Sequence, residues 1–160
     1  MAVKRISTAI RAKIQYMNSF TLELLFNIIG IGSASGLIYK DHTLHLIGDN
    51  SGFLYEYNIG DASLNHHALI ENPSANIPKK QKPDFEAITS DETNIYVFGS
   101  GSTETRNKMI TIDKKSKAIV ATVDMSNLYL SMQSFADIKS DDFNIEGVVK
   151  EGDTWYFFQR

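Results

Sequence analysis

From residue 20 onward, short apolar runs alternate with polar turns, which is the period of antiparallel strands rather than helices. Leu22, Leu24, Leu25, Phe26, Ile28, Ile29 and Ile31 open the region as a dense apolar stretch that reads as β and ends among Gly30, Gly32, Ser33 and Ser35. Residues 37–39 and 44–47 flank a polar turn at 40–43, and Gly48-Asp49-Asn50-Ser51-Gly52 is a second turn signal. Phe53, Tyr55 and Tyr57 then alternate with Leu54, Glu56 and Asn58, and residues 63–71 read as a further strand. The spacing predicts a four-stranded antiparallel meander of about 40 residues, the size of a propeller blade. Pro73, Pro78 and Pro83 all fall in residues 72–83. Proline has no N–H to give a sheet ladder, so this stretch is a connection. A second meander is predicted with strands at 85–89, 95–98, 108–113 and 118–123. A short helix follows, capped by Asp124 or Ser126, with Leu128, Met132 and Phe135 on one face. A third unit begins at Phe143, with strands at 145–150 and 154–158.

Three segments align without gaps. They begin at Ser35, Glu86 and Glu146, and each runs fourteen residues, to Gly48, Gly99 and Gln159. Each has a small residue second (Gly36, Ala87, Gly147), an aliphatic residue third, a polar turn in the middle and mostly apolar residues near the end. A hairpin repeat of this size points to propeller blades rather than a sandwich. In a blade the innermost strand runs beside the central channel, where a small residue lets neighbouring inner strands approach. The next strand is buried between blades and is apolar on both faces, as Tyr96-Val97-Phe98 and Trp155-Tyr156-Phe157-Phe158 are. The expected fold is all-β: a partial β-propeller of about two four-stranded antiparallel blades and the start of a third, with one short helix. The expected divisions are an N-terminal arm at 1–19 and the partial propeller at 20–160. Within it lie a blade at 33–71, a linker at 72–83, a blade at 84–124, a helical insertion at 125–139 and an incomplete blade at 143–160. Propellers have about four to eight blades, so the chain is expected to be a piece of a longer protein. Its exposed blade faces would then favour self-association.

Composition narrows the function classes. Sixteen Lys and Arg against 19 Asp and Glu give a net charge of -3, so no basic surplus speaks for nucleic acid. No apolar run reaches the roughly 18 residues of a membrane span. The absence of cysteine excludes a disulfide framework, a thiolate zinc site and a cysteine nucleophile. The arm carries Lys4, Arg5, Arg11 and Lys13, and the first acid is Glu23. Ile6, Ile10 and Ile14 suit a helix face or a strand equally. A transit peptide is conceivable there, but no uninterrupted apolar run follows the charges as in a secretory signal, so a cytoplasmic location is the default expectation.

Pro83-Asp84-Phe85-Glu86-Ala87-Ile88 and Asn144-Ile145-Glu146-Gly147-Val148 resemble the D-x-E-G-I/V inner-strand motif of phytase-like β-propellers, a group that includes the SdiA-regulated type. Ser33-Ala34-Ser35-Gly36, Ile77-Pro78-Lys79-Lys80 and Gly99-Ser100-Gly101-Ser102 extend the resemblance to an uncharacterised Bacteroidota family of such propellers. It covers about residues 33–160 and implies a fold. It implies no substrate, because propellers host unrelated functions.

Glu86 and Glu146 share one repeat position. If that position opens the inner strand, both carboxylates lie near one mouth of the channel. There they can bind Ca²⁺, which prefers oxygen ligands, with Asp84 and Asn144 adding oxygens, or they can act as a catalytic acid/base pair. The same pattern also serves structural ion pairs between blades. Ser100, Ser102 and Arg106 lie in a long Gly/Ser loop able to hold a phosphate or carboxylate, although the Gly-Lys-Ser/Thr ending of a P-loop is missing. A solvated hairpin loop explains the same residues. Asp49 reads as part of an ordinary turn, and Lys79, Lys80 and Lys82 as a solvated linker. His42 and His45 point to opposite faces, as do His66 and His67, which speaks against a histidine metal site. No G-x-S-x-G elbow is present. The function expected is a module binding a small-molecule or protein ligand. The alternative is a metal-assisted hydrolase of phosphate or other esters.

Overall fold

Ten strands in three antiparallel sheets dominate residues 22–160, the part of the chain described by the computed structural model. The arm expected at 1–19 lies outside the described residues. The first sheet contains β1 (Ala34–Lys40), β2 (Thr43–Gly48), β3 (Phe53–Asn58) and β4 (Leu64–Ala68), in that order. The second contains β5 (Phe85–Ser90), β6 (Asn94–Gly99), β7 (Lys108–Asp113) and β8 (Ile119–Asp124). The helix α1 (Ser126–Ala136) follows, and β9 (Ile145–Glu151) with β10 (Thr154–Gln159) make a two-stranded third sheet. No helix among the described residues is long and apolar enough to cross a membrane.

Each repeat folds as a hairpin. Asp41 and His42 both adopt left-handed φ, at 49° and 61°, which suits the tight two-residue turn between β1 and β2. The turn between β5 and β6 is closed differently, by Asp91 Oδ1 accepting from the backbone N–H groups of Thr93 and Asn94. All three hairpins slip register at the same repeat position. The pairing skips Ser35 in β1, Glu86 in β5 and Glu146 in β9. Each is the extra residue of a β-bulge, a device that re-aims side chains at the rim of a sheet.

The first strands of the sheets are neighbours: β1 packs against β5, and β5 against β9. Two cores fill the spaces between sheets. Ile47 and Leu54 meet Ile88, Ile95, Val97 and Ile110 in one, while Ala87 and Phe98 meet Val148, Trp155 and Phe157 in the other. The Trp155 ring stands edge-on to Tyr96 and Phe98. A polar tie also crosses the first gap: Glu56 accepts from Lys117 and sits 3.1 Å from His45 Nε2. Burial and the Lys117 ammonium together hold the His45 pKa below its ordinary value.

Three expectations need correction. The apolar stretch at 22–31 forms no strand. It runs over the far side of the first sheet, where Phe26 stacks on Tyr57 and Ile28 and Ile31 pack around Leu44 and Leu46, leaving Leu22, Leu24, Leu25 and Ile29 exposed. β4 ends at Ala68 rather than at 71, because Leu69 N turns to the Gly52 carbonyl. The buried face of α1 carries Tyr129 and Met132, whereas Leu128 and Phe135 are exposed. Tyr129 is drawn in by Gly101, at φ 76°, where any Cβ would collide with its ring, and its hydroxyl donates to the Gly99 carbonyl.

The small residue of the first repeat sets how closely its sheet approaches the next. A Cβ on Gly36 would lie 2.9 Å from side-chain carbons of both Ile47 and Ile88, across the first gap. On Gly147 it would meet only Phe158, at an ordinary 3.6 Å. Gly36→Ala is expected to lower unfolding free energy by about 1–3 kcal/mol through overpacking. Gly147→Ala should stay within about 0.5 kcal/mol of the parent, or gain from strand propensity. Urea denaturation of the two variants checks the contrast.

Candidate functional site

The bulged starts of β5 and β9 are tied in by main-chain hydrogen bonds. Asp84 N donates to the Asp49 carbonyl, Ser100 N to the Asp84 carbonyl, and Ile145 N to the Ser100 carbonyl. Asp49 and Ser100 each follow the glycine that closes a repeat, so the ends of β2 and β6 hold the starts of β5 and β9 through equivalent carbonyls, the donor lying one residue later in the second case. Asp84 adopts φ 56°, a left-handed conformation that aspartate tolerates better than most residues.

This placement puts the Asp84 carboxylate, with its side chain 7% exposed, at the centre of a charge cluster. Its Oδ2 accepts from Ser100 Oγ at 2.6 Å, Ser102 Oγ at 3.3 Å and Arg106 at 3.0 Å. Its Oδ1 lies 2.5 Å from Lys82 Nζ, and Lys82 also reaches Asp49 Oδ2 at 2.5 Å. Burial opposes the Asp84 charge, but Lys82, Ser100 and Arg106 outweigh it and hold the pKa below the ordinary value. Lys82 shows the converse: burial opposes its charge and the two aspartates raise its pKa. Loop 100–107 therefore does bind a carboxylate, and that carboxylate belongs to the protein. Gly99 permits this wrap, since a Cβ there would strike the Arg106 carbonyl.

A cleft of about 580 Å³ opens beside this cluster. Asp84, Glu86, Ser102, Arg106, Asn144 and Glu146 line it, together with Lys82 and Arg160. The structure thus brings the expected residues to one place, with Ser100 buried just behind. Their roles differ. Glu146 is held by Asn144, whose amide donates to Oε1, and by Arg160 at 3.3 Å. Glu86 receives no such donor among the described residues. Burial, then the charges of Asp84, Glu146 and Asp49, push its pKa up to about 7.

Asp49 and Lys82 were not singled out by the sequence, and both are central. Asp49, Asp84 and Glu86 carry carboxylate oxygens within 4.8 Å of one another. Asp49 Oδ1 is buried without a partner among the described residues. The repeat frame held a signal for Asp49, because it occupies the position of Ser100. Nothing marked Lys82. In sequence it looks like Lys79 and Lys80, which are exposed, yet its own side chain is only 14% exposed.

Comparison with known proteins places the chain in a family. Residues 30–160 match the model of a "Family of unknown function (DUF6929)", and the chain belongs to that family. No curated protein matches it.

The Glu86 environment has a consequence for stability. Its folded pKa, about 7, lies above the ordinary 4.5, so the folded state binds the proton more tightly than the unfolded chain. Below pH 4.5 both states are protonated and there is no penalty. The penalty grows through the interval and is complete above the folded pKa. Glu86→Gln is therefore expected to stabilise the protein at alkaline pH by on the order of 1–3 kcal/mol, with the gain vanishing below pH 4.5. Thermal melts of both proteins across that range test the sign.

Proposed function

We propose that this member of the family is a ligand-binding segment of a β-propeller, and that its cleft takes a ligand bearing a basic group. The propeller reading is supported by three hairpins with side-by-side first strands, each bulged at one repeat position and small at the next. The ligand class follows from the charge balance. Lys82 and Arg106 are committed to Asp49 and Asp84, while Glu86 has no donor among the described residues and a pKa of about 7. A ligand ammonium placed beside Glu86 opposes the charges of Asp84, Glu146 and Asp49 and offsets part of that elevation. This unpaired carboxylate is the single observation on which the reading rests.

Calcium fits the same cleft poorly. The Lys82 ammonium already sits between Asp49 and Asp84, where the cation would have to lie. A Ca²⁺ ion, which takes about six to eight oxygens, has to expel that ammonium first. A second reading draws on the pKa alone: a carboxyl near neutrality suits general acid–base hydrolysis of an ester, with Glu146 beside it.

Calorimetry with a short lysine-rich peptide tests the binding reading. Affinity is expected to be highest above Glu86's pKa and to fall by up to about tenfold per pH unit below it. Glu86→Gln should weaken binding and flatten that dependence. Equal binding by Glu86→Gln, or none by the parent, refutes it. Turnover of p-nitrophenyl phosphate or acetate that is lost in Glu86→Gln would favour the hydrolase instead. Millimolar Ca²⁺ should leave the parent's melting temperature unchanged and raise that of Lys82→Met.

A further inference from the structure

Three titratable side chains meet inside the gap between the first and second sheets. His45 on β2 and Glu56 on β3 are directly paired, so both point to one face of the first sheet. Lys117 reaches them from the β7–β8 turn of the second sheet, where it adopts a left-handed φ of 60°. Asp113 fixes that turn: its Oδ1 accepts from the N–H groups of Lys115 and Ser116, and its carbonyl accepts from Lys117 N. The side chains of His45, Glu56 and Lys117 are only 13%, 22% and 16% exposed. Both walls of this gap are four-stranded sheets of the chain itself, so no further segment is needed to form it.

One nitrogen stands between the other two members. His45 Nε2 lies 3.1 Å from Lys117 Nζ and 3.1 Å from Glu56 Oε2. Without a proton Nε2 accepts from Lys117, and with one it donates to Glu56; it cannot do both. Glu56 already accepts from Lys117, and a proton on Nε2 would oppose the ammonium. The lone pair therefore faces Lys117 and the ring proton sits on Nδ1. In that state the cluster holds one positive and one negative charge. A second ring proton sets an imidazolium against the ammonium and leaves a net positive charge in a poorly solvated place. The surrounding groups do not cancel it. Lys114 on the same turn adds repulsion, β4 offers only a further imidazole in His67, and the β1 partner of His45 is the apolar Ile38. Burial opposes the Glu56 charge, but Lys117 and His45 outweigh it and keep Glu56 an anion as the pH falls.

We propose that His45 is an acid-operated latch between the first two sheets: when its ring takes up a proton at Nε2 it exchanges Lys117 for Glu56, and the β7–β8 turn is released from the first sheet. Lys117 is the member that leaves, because it sits on a turn with a flexible stem, whereas His45 and Glu56 are fixed in neighbouring strands. Burial and then Lys117 hold the His45 pKa below its ordinary 6.5, so the latch is closed at neutral pH. Its closed-to-open ratio falls by up to about tenfold per pH unit as the pH drops from 6.5 towards the folded pKa. The inference stands apart from what the cleft binds.

A nitrogen-15 NMR titration of the full chain from about pH 8 to about pH 5 tests this. At the alkaline end the His45 ring should be the Nδ1–H tautomer. It should titrate below 6.5, and the Lys117 side chain and the Ala118 amide should move with the same midpoint. His67→Gln identifies the second imidazole and should leave the turn's response in place. Lys117→Met removes the opposing cation and should raise the His45 midpoint by about one pH unit or more. In His45→Gln the turn should no longer respond over this range. An Nε2–H tautomer at the alkaline end, a turn that stays still while His45 titrates, or a turn that responds equally in His45→Gln overturns the proposal. Should a variant melt abnormally, the tautomer and the shared midpoint of the parent decide alone.

Discussion

The main-chain relay from Asp49 through Asp84 and Ser100 to Ile145 fixes the position of everything else at this end of the molecule. Those groups lie where strands have ended or slipped register, so the ladders cannot satisfy them. A buried unpaired amide or carbonyl is costly, so bonding across the gaps satisfies the groups and aligns the sheets together. Packing then follows. With the strand ends held, β1, β5 and β9 run side by side, and only a small residue fits where Gly36 sits.

The electrostatics of the cleft are a consequence of the same relay. Bringing the starts of β5 and β9 beside the end of β2 gathers Asp49, Asp84, Glu86 and Glu146. Partly buried like charges repel, and the fold offsets this with Lys82 and Arg106. These cations are shared by the aspartates, and Glu146 has Asn144 and Arg160. Glu86 is the carboxylate left without a donor among the described residues, and burial together with that imbalance raises its pKa. The charge balance of the cleft is thus set by which acid lacks a partner among the described residues rather than by the number of acids.

Between the sheets, specificity is graded by side-chain size. The first gap is aliphatic and closes on Gly36, while the second is aromatic, with Ala87 at the equivalent place and Phe98 against Trp155 and Phe157. Helix α1 contributes Tyr129 and Met132 to that second core. An interface that recurs between neighbouring sheets with different side chains is what a repeat architecture requires.

The sequence by itself determined the strands, the turns and the three equivalent hairpins, because alternation of apolar and polar residues is a local property of a pleated chain. It also gave Glu86 and Glu146 one repeat position, since a repeat sends equivalent positions to equivalent places, whereas only the tertiary structure sets the loop of Ser102 and Arg106 beside them. It misplaced residues 22–31, where a run apolar enough for a strand covers a sheet instead, and it chose the wrong face of α1, because only the tertiary contact with Gly101 and Gly99 selects Tyr129. Partner choice was decided in three dimensions. That Arg106 and the serines grip Asp84, that Lys82 alone of three neighbouring lysines is half-buried, and that Glu86 has no donor among the described residues depend on distances between segments far apart in the chain. Charge and hydrogen bonding act over those distances, and no local pattern of residues encodes them.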